Sequence, residues 1–289
     1  MEKIYKNQYL QDLIGQTIGN YGSTPRLEAF SQAENHNIVA PVDKDLNKRT
    51  AFRIYTEEIK RQQNLEDVFD YADEELGKHP EQEGKAVDED WSHRFVTFAK
   101  DISDSELKSY WGRLLAGEIK STGTYSYRMM LLMSQLSKRE ADSIREVFKY
   151  VMFLDNDEKV LILKTMDYSP ITMGQLLFMQ ELGLIDSKDN LSVTYTNNDN
   201  TIAHNYVFTR NGIGLVFTSK ALEVVFPIYK LTSIGKEFLL LNSDVEIDMD
   251  YLKKVAELTV KEQKNAVSVK CGRIQFVSQD RWRMIETFF

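Results

Sequence analysis

The sequence predicts a mainly α, α+β protein: a helical bundle, then a winged-helix-like α/β unit, then a short β-hairpin tail. Three observations carry this reading. Ser103 with Glu106, and Ser137 with Glu140, have the S-x-x-E spacing of a capping box, in which each side chain accepts a free backbone N–H at a helix start. Between them, Ser121-Thr122-Gly123-Thr124 is a glycine-containing turn, so the flanking helices fold back into a bundle. Further on, Asn211-Gly212 stands between alternating apolar runs, the signature of a type I′ hairpin.

Taken in order, residues 1–76 read as an N-terminal helical region. Ser23-Thr24-Pro25 is a helix start, since proline at the first helical position loses no needed hydrogen bond. Phe52, Tyr55 and Ile59 fall on one helical face between Asn47 and Gln63, and Asn64 is expected to cap a further short helix with Leu65, Val68, Phe69 and Leu76. Residues 77–87 are a linker, because Gly77 to Lys85 holds two glycines, a proline and almost nothing apolar. Residues 88–154 form the bundle core. Trp91, Phe95, Phe98 and Ile102 share one helical face, and Leu107, Trp111, Leu114, Leu115 and Ile119 form the stripe of the next helix. Tyr125 to Leu136 resumes the helical pattern with Met129, Leu132 and Met133, and Ile144, Val147, Phe148 and Val151 mark a last helix.

Residues 155–245 carry the winged-helix-like unit. A short helix is expected over Lys159 to Met166, and another begins at Ser169-Pro170 and ends at Gly183, suited to a left-handed C-terminus. Strands follow at Leu191 to Tyr195, Tyr206 to Thr209, Ile213 to Thr218 and Ile228 to Leu231, then a helix from Thr232 to Leu241. That order matches a winged helix, a variant of the helix-turn-helix. Residues 246–289 form the tail: an amphipathic helix from Met249, then a hairpin whose arms, Ala266 to Val269 and Ile274 to Val277, flank Cys271-Gly272. Trp282, Met284, Ile285, Phe288 and Phe289 end the chain with apolar groups that must dock on the chain or on a partner, and homo-oligomerisation is one expectation.

Composition narrows the function classes. Hydrophobic residues make up 42% and charged residues 28%, an ordinary globular balance. No apolar run approaches the ~20 residues of a membrane helix. The first residues lack a signal-peptide core, and a lone cysteine suits a reducing compartment. A cytoplasmic protein with no membrane partner is expected. Net charge is −5 over residues 1–150, −7 over 151–250 and +4 over 251–289. A duplex-binding surface gathers Lys and Arg at phosphates. It would therefore draw on the tail: Lys253, Lys254, Lys261, Lys264, Lys270 and Arg273. Nucleic acid is possible but a protein partner is favoured. In the DNA-binding alternative Met173 to Leu182 would be the recognition helix, yet it holds no Lys or Arg for base readout.

No motif points to catalysis. His36, His79, His93 and His204 are scattered, and Glu89, Asp90 and His93 share one turn without the three or four ligands of a metal site. No metal and no cofactor is expected. Cys271 lacks an evident base, and Gly212-Ile213-Gly214 lacks the phosphate-loop pattern. The acidic runs Glu66-Asp67 with Asp70, and Asp88-Glu89-Asp90, read as solvated helix faces rather than the carboxylate cluster of a nuclease or nucleotide hydrolase. The most unusual stretch is Trp111-Gly112-Arg113 to Gly117-Glu118, where two helical glycines cost about 1 kcal/mol each against alanine. Trp111, Arg113, Glu118, Tyr125 and Arg128 are the candidate ligand or partner surface. The structural alternative, which is favoured, has Arg113, Glu118 and Arg128 in an ionic network that ties two helices.

Asp101-Ile102-Ser103-Asp104, the run Trp111 to Ile119, Gly123 to Arg128 and Leu136 to Ala141 together resemble the core of a bacterial family catalogued as a domain of unknown function. Tyr229 to Leu239 resembles its later LT-x-x-G-x-E-[LF] feature, so the likeness spans roughly residues 88–241. Thr122 stands where that family usually has proline, and Gly123 still permits the turn. More loosely, the layout is similar to the abortive-infection alpha group, linked to phage resistance. The resemblance implies a non-enzymatic interaction or regulatory protein in phage defence and brings no catalytic residues with it.

Overall fold

Leu65, Val68, Phe69, Ala72 and Leu76 recur at helical spacing, and burial of that stripe makes them one side of a single long helix. The structure is a computed structural model describing residues 5–17, 46–78, 84–154, 159–186, 188, 190–263, 266–278 and 281–289. It divides into two compact units, Met1–Lys138 and Arg139–Phe289.

The first unit is helical: α1 (Gln8–Thr17), α2 (Leu46–Gly77), α3 (Glu89–Ala99), α4 (Ser105–Lys120) and α5 (Tyr127–Gln135). α2 and α4 pack together at backbone distance, and Gly112 is the reason. A Cβ there would stand 2.4 Å from Tyr71 Cβ and 2.9 Å from the Ala72 nitrogen. Beside this contact the half-exposed Asp67 on α2 accepts from Lys108 Nζ on α4 at 2.8 Å. The core is aromatic: Trp111 is fully buried, with Phe95 and Phe98 ring centroids 5.4 and 6.4 Å away.

The second unit takes in α6 (Lys138–Phe148), β1 (Val151–Leu154), β2 (Lys159–Leu163), α7 (Met173–Glu181), β3 (Ser192–Thr196), β4 (His204–Arg210), β5 (Ile213–Ser219), β6 (Glu223–Lys230), α8 (Ser233–Leu241), α9 (Met249–Glu262), β7 (Val267–Ser278) and β8 (Arg281–Thr287). Its strands make one eight-stranded sheet in the order β3-β6-β2-β1-β4-β5-β7-β8, every neighbouring pair antiparallel. Tyr206, Phe208, Phe217 and Phe226 alternate onto one face and interlock, with Phe226 5.1 Å from both Phe208 and Phe217. α9 buries Tyr251, Leu252, Val255 and Ala256 and packs against β7, and the Tyr251 hydroxyl donates to the Leu163 carbonyl. Arg210 is 3% exposed, and its guanidinium donates to the carbonyls of Phe148, Val151 and Val245. It thereby fastens the end of α6 and the α8–α9 connection to the sheet.

Several expectations stand in the structure. Gly123 takes φ +88° in the turn between α4 and α5, Gly183 takes φ +70° after α7, and Asn211 and Gly212 both have positive φ, as a type I′ turn requires. The sequence α7, Gly183, β3, β4, β5, β6, α8 also follows the expected order. Its strands are parts of the larger sheet, which β1, β2, β7 and β8 complete.

Other expectations are corrected. Asn64 caps no helix: it lies buried inside α2, and its side-chain amide donates to the Lys100 carbonyl at 2.8 Å. α4 starts one residue later than Ser103 suggests, with Asp104 as its cap, accepting from the N–H of Glu106 and Leu107. Lys159 to Leu163 is strand β2, not helix, paired with β1 and β6. Val151 likewise opens β1 rather than closing a helix. Cys271-Gly272 makes no turn; it sits within the single strand β7, between β5 and β8. The helix start at Ser23-Thr24-Pro25 lies outside the described residues.

Candidate functional site

The five residues proposed as a surface are dispersed by burial. Trp111 is 0% exposed, Glu118 1% and Tyr125 5%, so none of the three meets solvent, whereas Arg128 is exposed. Arg113 is half-buried with its guanidinium carbon 5.6 Å from the Tyr110 ring centroid. The structure therefore brings Trp111, Glu118 and Tyr125 into the core and leaves Arg128 outside it.

Glu118 explains the arrangement. It projects from the last turn of α4 beneath the Ser121–Thr124 turn and accepts from the Gly123 N–H at 2.6 Å and the Tyr125 N–H at 3.0 Å. A buried carboxylate is costly unless hydrogen-bonded, and here both its oxygens have donors. The Tyr125 carbonyl in turn accepts from Trp91 Nε1 at 2.9 Å, which ties α3 to the same turn. The Tyr125 ring lies over Gly117, where an added Cβ would stand 2.6 Å from the ring edge. The Trp111–Glu118 run is thus a set of packing devices that holds a turn closed. Glu118 binds the backbone amides of Gly123 and Tyr125.

The same holds for the later feature. Thr232 caps α8, accepting from Gly235 N–H, while its hydroxyl donates to the Gly183 carbonyl at 2.5 Å. Gly235 faces the Leu184 carbonyl so closely that a Cβ would stand 2.1 Å from the oxygen. Leu231-Thr232-x-x-Gly235 therefore docks α8 on the end of α7.

The described candidate basic residues of the tail fall on two elements, α9 and β7. Lys254 and Lys261, seven residues apart, share one side of α9, and Lys254 Nζ lies 4.4 Å from the Tyr168 ring centroid. Lys253 is exposed beside them. Lys270 and Arg273 are exposed on β7 at odd spacing, which sets them on opposite faces of the strand, and Arg273 pairs with Glu286 at 3.6 Å. Lys264, His36 and His79 lie outside the described residues. A shallow cleft of about 420 Å³ lies between the Asn211-Gly212 turn and the β7–β8 hairpin, with Arg273, Ile285 and Phe288 among its lining.

Near the expected acidic turn, Asp88 caps α3 by accepting from Trp91 N–H, and Glu89 and Asp90 fill the first helical turn. Among the described residues no group of three His, Cys, Asp or Glu side chains could hold a metal ion. Cys271 is buried, and loss of solvation pushes its thiol up to about 11. No helix among the described residues is long and apolar enough to cross a membrane.

One surface was half visible in the sequence. α7, with the sequence MGQLLFMQE, buries Leu176 and Met179 and leaves Met173 68% and Leu177 58% exposed. The lack of Lys and Arg was legible there; which side stays bare was not, because that depends on what α7 packs against.

By fold and site this is a mixed α+β protein, with a helical unit and an antiparallel-sheet unit, whose most unusual motifs serve packing. The chain belongs to the family described as "Protein of unknown function (DUF2806)", whose model matches residues 48–256. Neither a curated protein nor a solved structure matches it.

Proposed function

We propose that the chain is a non-enzymatic interaction protein that works through protein contacts, with bacterial phage defence as its setting. The observation that carries this reading is the outer side of α7. Large apolar side chains one turn apart on an exposed helix face mark a contact surface. Here Met173 and Leu177 face solvent on a helix with no Lys or Arg. Such a surface suits an apolar protein partner and offers nothing to a phosphate backbone. The setting rests on the looser likeness of the layout to the abortive-infection alpha group.

The test compares the native host, a deletion of the gene, and a strain carrying Leu177→Glu, challenged with a broad phage panel. Deletion is expected to raise susceptibility to at least one phage, and Leu177→Glu to reproduce that loss at normal protein level. Unchanged susceptibility on deletion rejects the setting. Full protection by Leu177→Glu rejects α7 as the working surface.

A second reading, a DNA-binding regulator built on a winged-helix-like unit, is favoured by exposed Lys253, Lys254 and Lys261 along α9. It requires salt-dependent binding to duplex DNA, and absence of binding at low salt rejects it.

A further inference from the structure

We infer that the occupant of the exposed α7 face is a second copy of this chain, packed antiparallel across α7. The inference rests on the reading of α7 as a contact surface and names its partner. Three features of the helix support it. At about 100° per residue, Met173, Leu177 and Glu181 line up along one side, with the buried Met179 roughly opposite Leu177 and the buried Leu176 at the border of the stripe. All three are exposed, and Gly174 beside them is exposed too, with only the Thr172 hydroxyl, 4.0 Å away, near where its Cβ would stand, so another backbone can approach.

The second feature is charge. Glu181 is the only charged residue of α7 and occupies its last position. An acidic group at a helix C-terminus faces the negative end of its own dipole, so the placement is locally unfavourable. In an antiparallel pair centred on Leu177, Glu181 lies opposite Met173, the first residue of the partner helix. Each carboxylate then meets the positive end of the other helix. The mismatch within one chain becomes complementarity between two, and it does so twice by symmetry.

Third, the stripe is self-complementary in shape. Leu177 meets Leu177 at the axis, Met173 supplies an adaptable apolar flank, and no like charges face each other. A nine-residue helix offers less area than a standard interface, so the dimer is expected to be weak and concentration-dependent.

The test is sedimentation equilibrium of the full chain over roughly 1 to 300 µM, a range that spans weak self-association. Wild type is expected to pass from monomer to dimer within it. Leu177→Glu should stay monomeric at every concentration with an unchanged circular dichroism spectrum. Glu181→Lys should weaken the dimer at least several-fold while raising the melting temperature of the dilute monomer, because lysine suits its own helix C-terminus. A purely structural role for Glu181 would not produce that opposition. Monomeric wild type throughout, or a dimer indifferent to Leu177→Glu, overturns the inference. The phage assay separates it from the broader reading. If wild type is monomeric and Leu177→Glu still abolishes protection, α7 contacts a different protein; if Leu177→Glu retains protection, the contact reading itself falls.

Discussion

At the scale of single residues, Glu118 decides how the most distinctive motif of this chain is read. A side chain that binds a ligand is normally reachable, and Glu118 is 1% exposed with both carboxylate oxygens taken by turn amides. Replacing it with alanine leaves the Gly123 and Tyr125 N–H groups without their acceptor, at a cost of about 2–4 kcal/mol. Arg128→Ala, at an exposed position, should change stability by less than ~0.5 kcal/mol. Urea denaturation of the two variants checks the contrast; equal effects would return Glu118 and Arg128 to a common site. The sequence marked Glu118 as unusual because of its neighbouring glycines, but its role depends on a turn that closes back over it. Asn64 shows the same limit. Its residue type suits a helix cap, and only the position of the Lys100 carbonyl shows that it is a cross-link inside a continuous helix.

Secondary-structure elements were legible where their determinants are local. The turn at Gly123, the helix end at Gly183 and the Asn211-Gly212 hairpin are each set by backbone conformations that a few neighbouring residues impose. β2 was not legible: Lys159 to Leu163 is a short apolar run, equally suited to a buried helix segment, and its partner β6 lies far along the chain. Gly272 misled for a related reason. It reads as a turn, yet it is needed because a Cβ would stand 1.9 Å from the Glu286 carbonyl oxygen of the neighbouring strand. The start of α4 gives a sharp test. Asp104→Ala should cost about 1 kcal/mol through loss of the cap, whereas Ser103→Ala should cost a few tenths at most. Gly112→Ala tests the α2–α4 contact. Alanine gains helix propensity, but its methyl would press on the Tyr71 and Ala72 backbone, and net destabilisation of about 1–3 kcal/mol is expected. A stabilised Gly112→Ala variant would mean that the two helices are not held at backbone distance.

At the scale of the whole molecule, Cys271 reports on the assembly of the second unit. It is buried only because β5 and β8 flank β7 and α9 packs against that strand. A thiol reagent at neutral pH should therefore react with it only as the sheet unfolds. The pH dependence follows from the same burial. In the fold the thiol titrates at about 11, above its value in an unfolded chain near 9.0, so the folded state keeps its proton longer. Its contribution is complete below about pH 9 and is lost as pH rises towards 11, roughly 3 kcal/mol in all. Two other buried groups enter from about pH 9. Tyr251 is raised by burial and adds to the loss, while Arg210 is lowered to about 10 by burial, so its contribution rises with pH and opposes it. The thiol's share is therefore the difference between wild type and a variant that lacks it. Urea midpoints measured from about pH 8 to 10 should fall more steeply for wild type than for Cys271→Ala. Parallel curves for the two proteins would show that Cys271 is solvated and that β7 does not hold its place in the sheet.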